Sequence, residues 1–162
     1  AGAGAARFAS FVRGPRATIA YFKTLSSREP SMVPGHNPLG ALSVLAILAV
    51  LAVQVGTGLF AVDIDAFEGG PLSDRVSFEL GRRIAEWHEL TFRILQGLVV
   101  LHVLAIGFYL VWKRTNLVGP MITGRRVLPS DPGLAGAPAW RLVLGVALAA
   151  AFTWAVAKGF RF

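Results

Sequence analysis

Residues 87–112 read WHELTFRILQGLVVLHVLAIGFYLVW, and the fold turns on how this stretch is read. Positions 94–112 carry no charge, and the apolar pattern runs back to Trp87. A helix rises ~1.5 Å per residue, so about 20 such residues cross an apolar layer of ~30 Å. The same test finds two further spans. Positions 39–62 are a longer stretch, also without one charge. Positions 142–157 are a shorter run, closed by Trp140 and Arg141 in front and Lys158 behind. It spans only if Arg141 and Lys158 extend along their stems to the two interfaces, and its alanine-rich composition also suits a peripheral helix. Three transmembrane helices are expected, in an all-α integral membrane protein.

Composition agrees. Of 162 residues, 54% are hydrophobic and 15% charged, with a mean hydropathy of +0.59. Soluble domains carry roughly 25% charged residues, so disorder, a coiled coil and most soluble enzymes are excluded. The chain has no cysteine, which removes disulfides, iron–sulfur clusters, thiolate zinc and covalent c-type haem attachment. A net charge of +7 would suggest nucleic acid in a soluble protein. Beside long apolar runs it belongs at a membrane surface instead, and no nucleic-acid partner is expected.

Charge also sets the expected orientation. The loop over 63–86 holds six acids (Asp63, Asp65, Glu68, Asp74, Glu79, Glu86) against three bases (Arg75, Arg82, Arg83). Five bases precede the first span (Arg7, Arg13, Arg16, Lys23, Arg28), and five lie between the second and third (Lys113, Arg114, Arg125, Arg126, Arg141). The positive-inside rule then places 1–37 in the cytoplasm and the acidic loop in the periplasm of a bacterial inner membrane. The expected organisation is a basic segment over 1–37, spans over 38–62, 87–113 and 140–158, an acidic loop over 63–86 and a basic loop over 114–139. Asn37 is a suitable N-cap for the first span, with Pro38 in its first turn. Within 7–25, Phe8, Phe11, Val12, Pro15, Ile19 and Phe22 recur at helical spacing while Arg7, Arg13, Arg16 and Lys23 lie off that stripe. This reads as an amphipathic segment on the membrane surface, broken or kinked at Gly14–Pro15; a cytosolic connector after an earlier span reads the same way.

Two of the three histidines, His88 and His102, fall on the second span. At ~3.6 residues per turn they are just under four turns apart, so their rings leave the helix only ~40° apart, with ~21 Å of rise between them. Ionisable side chains at membrane depth are costly and usually functional. Two readings stand side by side. In one, His88 is interfacial beside Trp87 and His102 makes an interhelical hydrogen bond. In the other, each imidazole is an axial ligand of a b-type haem, one per leaflet, which makes an electron path. Zinc and iron–carboxylate sites are poorer rivals, because neither histidine has a second ligand at i+3 or i+4 within the membrane.

Trp87–His88–Glu89 and Leu101–His102–Val103 resemble the last ligand-bearing helix of the bacterial cytochrome b561 family, which includes the di-haem cytochrome b subunits of nickel–iron hydrogenases. Gly35–His36–Asn37–Pro38–Leu39–Gly40, Thr57–Gly58–Leu59–Phe60, Gly70–Pro71–Leu72, Asn116–Leu117–Val118 and Pro120–Met121–Ile122–Thr123–Gly124 are similar to that family's other short signatures. The likeness covers about residues 7–126. It implies a transmembrane bundle with a four-helix haem-binding core, four axial histidines and two haems b. It also implies electron transfer between a quinone pool and a redox partner such as a cytochrome c or a dehydrogenase. Family members usually carry two earlier spans, each bringing one axial histidine. The chain is therefore expected to correspond to the later part of such a core plus one C-terminal helix, its second pair of axial ligands coming from upstream helices or a partner chain.

The remaining candidates each have a plainer role beside the functional one. His36, at the start of the first span, is open to iron ligation, a haem propionate contact or capping of the neighbouring loop. Arg93 lies ~140° round the helix from His88; it either snorkels outward or pairs with propionates of the outer haem. Gln54 is a candidate interhelical or haem-edge donor. Gly56, Gly58 and Gly97 allow close approach of a porphyrin or helix, or simply pack. Lys113, Arg114, Arg125 and Arg126 anchor the cytoplasmic end or hold the inner haem's propionates. Trp112, Trp140 and Trp154 suit an aromatic belt. No phosphate-cradling loop or Ser/His/Asp set suggests a hydrolase or kinase. The expected function is that of an electron carrier with two haems b, open to quinone oxidoreductase activity. The competing reading is a haem-free membrane anchor or accessory subunit.

Overall fold

The computed structural model describes residues 14–28, 37–63, 68–123 and 138–160. Its elements are α1 (Pro15–Lys23), α2 (Pro38–Gly58), β1 (Val62–Asp63), β2 (Glu68–Gly69), a 3-10 turn (Ser73–Arg75), α3 (Phe78–Val111), α4 (Val118–Thr123) and α5 (Ala139–Ala157). Three of these, α2, α3 and α5, are long and apolar enough to cross a membrane, with window mean hydropathies of 2.4, 2.3 and 1.7. Their apolar side chains stay largely outside: Leu104 is 64% exposed, Val111 79% and Leu142 73%. Lipid is the solvent such surfaces need. The fold is an all-α membrane bundle, and among the described residues only a short strand pair interrupts it.

The chain divides into two compact units, one formed by Ala1–Ile47 with Gly97–Ala137 and the other by Leu48–Gln96 with Pro138–Phe162. In the first, α2 starts as its sequence dictates. The Asn37 side-chain oxygen accepts from the Gly40 amide at 2.8 Å, and Pro38 fills the first turn, where a missing N–H costs nothing. The other end of this unit is the close of α3, where the Thr115 amide returns to the Tyr109 carbonyl and Arg114 adopts φ +50°. Asn116 then caps α4 through the Gly119 amide at 2.9 Å.

Helix α1 and the segment that follows it are fixed within this unit by four contacts. The Tyr21 and Tyr109 hydroxyls lie 2.7 Å apart. Lys113, only 4% exposed, donates from Nζ to the Thr24 carbonyl at 2.8 Å and to the Ser27 hydroxyl at 3.4 Å. The Arg28 guanidinium sits 4.5 Å from the Trp112 ring centroid, a cation–π arrangement. Lys113 is thus a bolt for the segment after α1 and Trp112 a platform for Arg28. The part of the amphipathic stripe before Gly14 lies outside the described residues.

In the second unit the described part of the acidic loop carries regular hydrogen bonding. β1 and β2 pair antiparallel with Val62 opposite Gly69 and Asp63 opposite Glu68. The Gly70 amide donates to the Ala61 carbonyl at 2.8 Å and that of Leu72 to Leu59 at 2.9 Å, so the loop folds back on the end of α2. A Cβ at Gly70 would overlap the carbonyl oxygens of Gly58 and Leu59, which is why glycine stands there. Helix α3 begins at Phe78, well before the apolar run reaches Trp87. Its first turns are polar. Glu79–Arg82 at 3.2 Å, Arg82–Glu86 at 3.1 Å and Glu79–Arg83 at 3.9 Å pair along the helix at i+3 and i+4. Helix α5 ends on Gly159 in the left-handed region (φ +60°), and the Gly159 carbonyl accepts from Arg75 at 2.8 Å.

Candidate functional site

Both histidines of α3 face polar groups of α2, each within its own unit. His88 Nδ1 lies 3.1 Å from the Gln54 carbonyl oxygen and 3.1 Å from Thr57 Oγ1. A carbonyl only accepts, so Nδ1 carries the proton. The Thr57 hydroxyl donates to the Val53 carbonyl at 2.8 Å, which leaves its oxygen to accept from the imidazole. Nε2 is then the lone-pair nitrogen, and the Gln54 side-chain amide donates to it at 2.9 Å. Thr91 completes the cluster by donating to Gln54 Oε1 at 2.5 Å. Every polar side-chain atom of this cluster has a partner, as groups at membrane depth require.

The approach of α2 to this ring depends on one glycine. A Cβ on Gly58 would stand 3.0 Å from His88 Cε1, whereas nothing lies within 4 Å of one on Gly56 or Gly97. Of the three glycines expected to permit close approach, Gly58 alone meets a neighbour.

His102 has a simpler setting. Its Nδ1 lies 3.3 Å from Ser43 Oγ, and among the described residues its Nε2 makes no hydrogen bond. In the tautomer that donates from Nδ1 to the hydroxyl, Nε2 is the free lone-pair nitrogen. The same unit places the Tyr109 hydroxyl within 2.9 Å of Asn37 Nδ2; Tyr109 stands at i+7 from His102 and so on the same helix face.

A b-type haem needs neutral imidazoles with one nitrogen free for iron and the other held by an acceptor. His102 meets this in the tautomer that donates from Nδ1, since its Nε2 makes no hydrogen bond among the described residues. At His88 the Gln54 side-chain amide occupies Nε2 at 2.9 Å. By residue type the two imidazoles are donors that haem iron takes. The described residues hold no group of three or more His, Cys, Asp or Glu that would bind a bare metal ion, so the two imidazoles are the donor set to be explained.

Arg93 pairs with Glu89 one turn earlier on the same helix, both side chains well exposed. His36, Arg125 and Arg126 lie outside the described residues. Sequence reasoning does not single out Ser43, Thr57 and Thr91, since isolated hydroxyls in a span are unremarkable. One signal is present: the interval from Ser43 to Thr57 equals that from His88 to His102.

Comparison with known proteins adds one finding. The family described as prokaryotic cytochrome b561 matches residues 3–124. None of the curated proteins and none of the solved structures matches the chain.

Proposed function

Because the chain belongs to the prokaryotic cytochrome b561 family, we propose that it binds two b-type haems through His88 and His102. Membership makes it a membrane b-type cytochrome of electron transfer, with haem b as cofactor. It favours this reading over that of a haem-free anchor. The observation that supports two haems is the pair of imidazoles on α3, just under four turns apart at ~3.6 residues per turn. Nδ1 of each lies within hydrogen-bond distance of an oxygen of α2. At ~1.5 Å of rise per residue they are too far apart to share one metal.

When bound, the haems supply reversible one-electron chemistry. The chain's residues orient them. His88 and His102 would each offer one imidazole nitrogen to a haem, with Ser43, Thr57 and the Gln54 carbonyl holding the rings. Arg93, through the guanidinium nitrogens beyond its pairing with Glu89, and His36 are the proposed propionate contacts. Two irons with two imidazoles each need four histidines, and the sequence has three, of which His36 stands at a helix start. The second pair of ligands therefore comes from other helices, upstream or on a partner chain. The apolar faces of α2, α3 and α5 exclude water around the path. Electrons pass across a bacterial inner membrane, with 1–37 on the cytoplasmic side, between a quinone pool and a redox partner such as a cytochrome c or a dehydrogenase.

Reduced-minus-oxidised difference spectra of the purified protein, with haem quantified as its pyridine complex, test this reading. Two haems per assembly are expected, with His88→Leu and His102→Leu each losing b-type absorbance. Wild-type haem content in both variants would overturn the ligand assignment.

A further inference from the structure

The close of α3 has a second surface, away from His102. Val103, Leu104, Gly107, Phe108, Val111 and Trp112 line a groove of about 600 Å³ there. At ~100° per residue, Gly107 leaves the helix ~140° from His102 and Val111 ~180° from it. The groove therefore lies opposite the imidazole and the Ser43 hydroxyl that meets it. Gly107 is its notch, since nothing lies within 4 Å of a Cβ placed there. A cation stands at one end: the Arg28 guanidinium, 4.5 Å from the Trp112 ring centroid. Stacking uses the face of a guanidinium and leaves its in-plane N–H fork for an anion. Lys113 positions this arginine by holding Thr24 and Ser27 just before it. Among the described residues of this unit, Arg16, Lys23, Arg28, Lys113 and Arg114 are five bases accompanied by no Asp or Glu.

We propose that this groove holds an anionic phospholipid, with an acyl chain against Gly107 and the phosphate on Arg28. A tryptophan and a cation at the end of an apolar span mark headgroup depth, and the walls of the groove are apolar. Arginine forks suit phosphate oxygens, and basic pockets beside spanning helices take lipid headgroups. Helix α1 extends the same surface. Tyr21 turns to Tyr109, while Ile19 and Phe22 are exposed together with Arg16 and Lys23. Apolar and basic side chains exposed on one short helix suit the boundary between headgroups and acyl chains. The site is independent of the haem ligands.

Native mass spectrometry of the full membrane cytochrome in mild detergent tests the proposal, with phosphatidylglycerol and phosphatidylcholine of equal chain length as probes. The wild type is expected to retain phosphatidylglycerol in preference to phosphatidylcholine. Arg28→Gln should weaken phosphatidylglycerol binding about tenfold, the size of one charge-assisted contact, and abolish the preference. Gly107→Leu should weaken both lipids, because its side chain fills the notch while its Cβ meets nothing. If Arg28→Gln loosens the segment after α1, Arg28→Lys keeps the charge without the fork and should bind phosphatidylglycerol more weakly than wild type. The proposal is overturned if the wild type retains the two lipids equally, or if either Arg28→Gln or Gly107→Leu binds phosphatidylglycerol as wild type does. A change of oligomeric state in Gly107→Leu with lipid retention intact would overturn it by assigning the groove to a second copy of the chain. Haem content should stay at its wild-type level throughout; its loss in Arg28→Gln would assign the arginine to a propionate instead.

Discussion

The hydroxyl of Tyr109 lies 2.7 Å from that of Tyr21 and accepts from Asn37 at 2.9 Å, so one buried oxygen joins α1, the cap of α2 and the last turns of α3. Tyr109 is 6% exposed, while Tyr21 and Asn37 are half-buried. Tyr109→Phe keeps the ring and removes the bridge. The expected cost is about 1 kcal/mol, the net worth of an ordinary hydrogen bond. Limited trypsin digestion in detergent checks it: cleavage after Lys23 or Arg28 should quicken in the variant. Unchanged rates would mean that α1 does not depend on this bond.

The glycines make a graded series. Gly70→Ala places a methyl against two backbone carbonyls, which cannot move as side chains can, and overpacking of this kind costs up to about 3 kcal/mol. Gly97→Ala meets nothing within 4 Å and should be neutral within about 1 kcal/mol. Gly58→Ala falls between, because the His88 ring must give by a few tenths of an ångström. Thermal aggregation midpoints in detergent should fall in the order Gly97→Ala, Gly58→Ala, Gly70→Ala. Gly58→Ala alone should alter the haem spectrum without losing the fold.

Much of this is legible in the sequence for a simple reason. A charge is costly in a bilayer core, so uncharged runs fix α2, α3 and α5 before any packing is considered. Asn37–Pro38 fixes the start of α2 by local hydrogen bonding. The first turns of α3 are hidden because they carry no apolar stripe that marks a helix: Glu79, Arg82, Arg83 and Glu86 read as loop until their i+3 and i+4 pairing is seen. The hairpin is hidden because strands as short as Val62–Asp63 and Glu68–Gly69 carry no periodicity. His88 and His102 stand out by residue type. Their partners Ser43 and Thr57 do not, and only the matched intervals connect them. Tyr109 escapes notice because an aromatic near the end of a span suits an interfacial belt equally well.

Lys113 offers a test of what anchors the end of α3. Its ammonium is buried and holds the Thr24 carbonyl and the Ser27 hydroxyl. Lys113→Met keeps the stem and deletes the donor at a cost of about 1 kcal/mol, since the Thr24 carbonyl still accepts from Ser27. Accelerated proteolysis at Arg28, with wild-type haem content, is the expected result. Loss of haem instead would show that this cation serves a propionate and not the segment after α1.

Topology gives the last prediction. Arg75, within the acidic loop, donates to the carbonyl of Gly159 just beyond α5, and a Cβ on Gly159 would touch the Pro71 carbonyl at 3.5 Å. The end of α5 and the acidic loop are therefore expected on one side of the membrane. The loop over 63–86 carries three more acids than bases, while 113–141 carries five bases, and basic loops stay in the cytoplasm. The chain has no cysteine, so single substitutions report without background. In spheroplasts, Ser73→Cys and Lys158→Cys should react with an impermeant maleimide, and Ser130→Cys only after the membrane is opened. The opposite pattern would reverse the orientation. Agreement of Lys158→Cys with Ser130→Cys would instead break the tie between Arg75 and Gly159, and with it the account of how α5 is held.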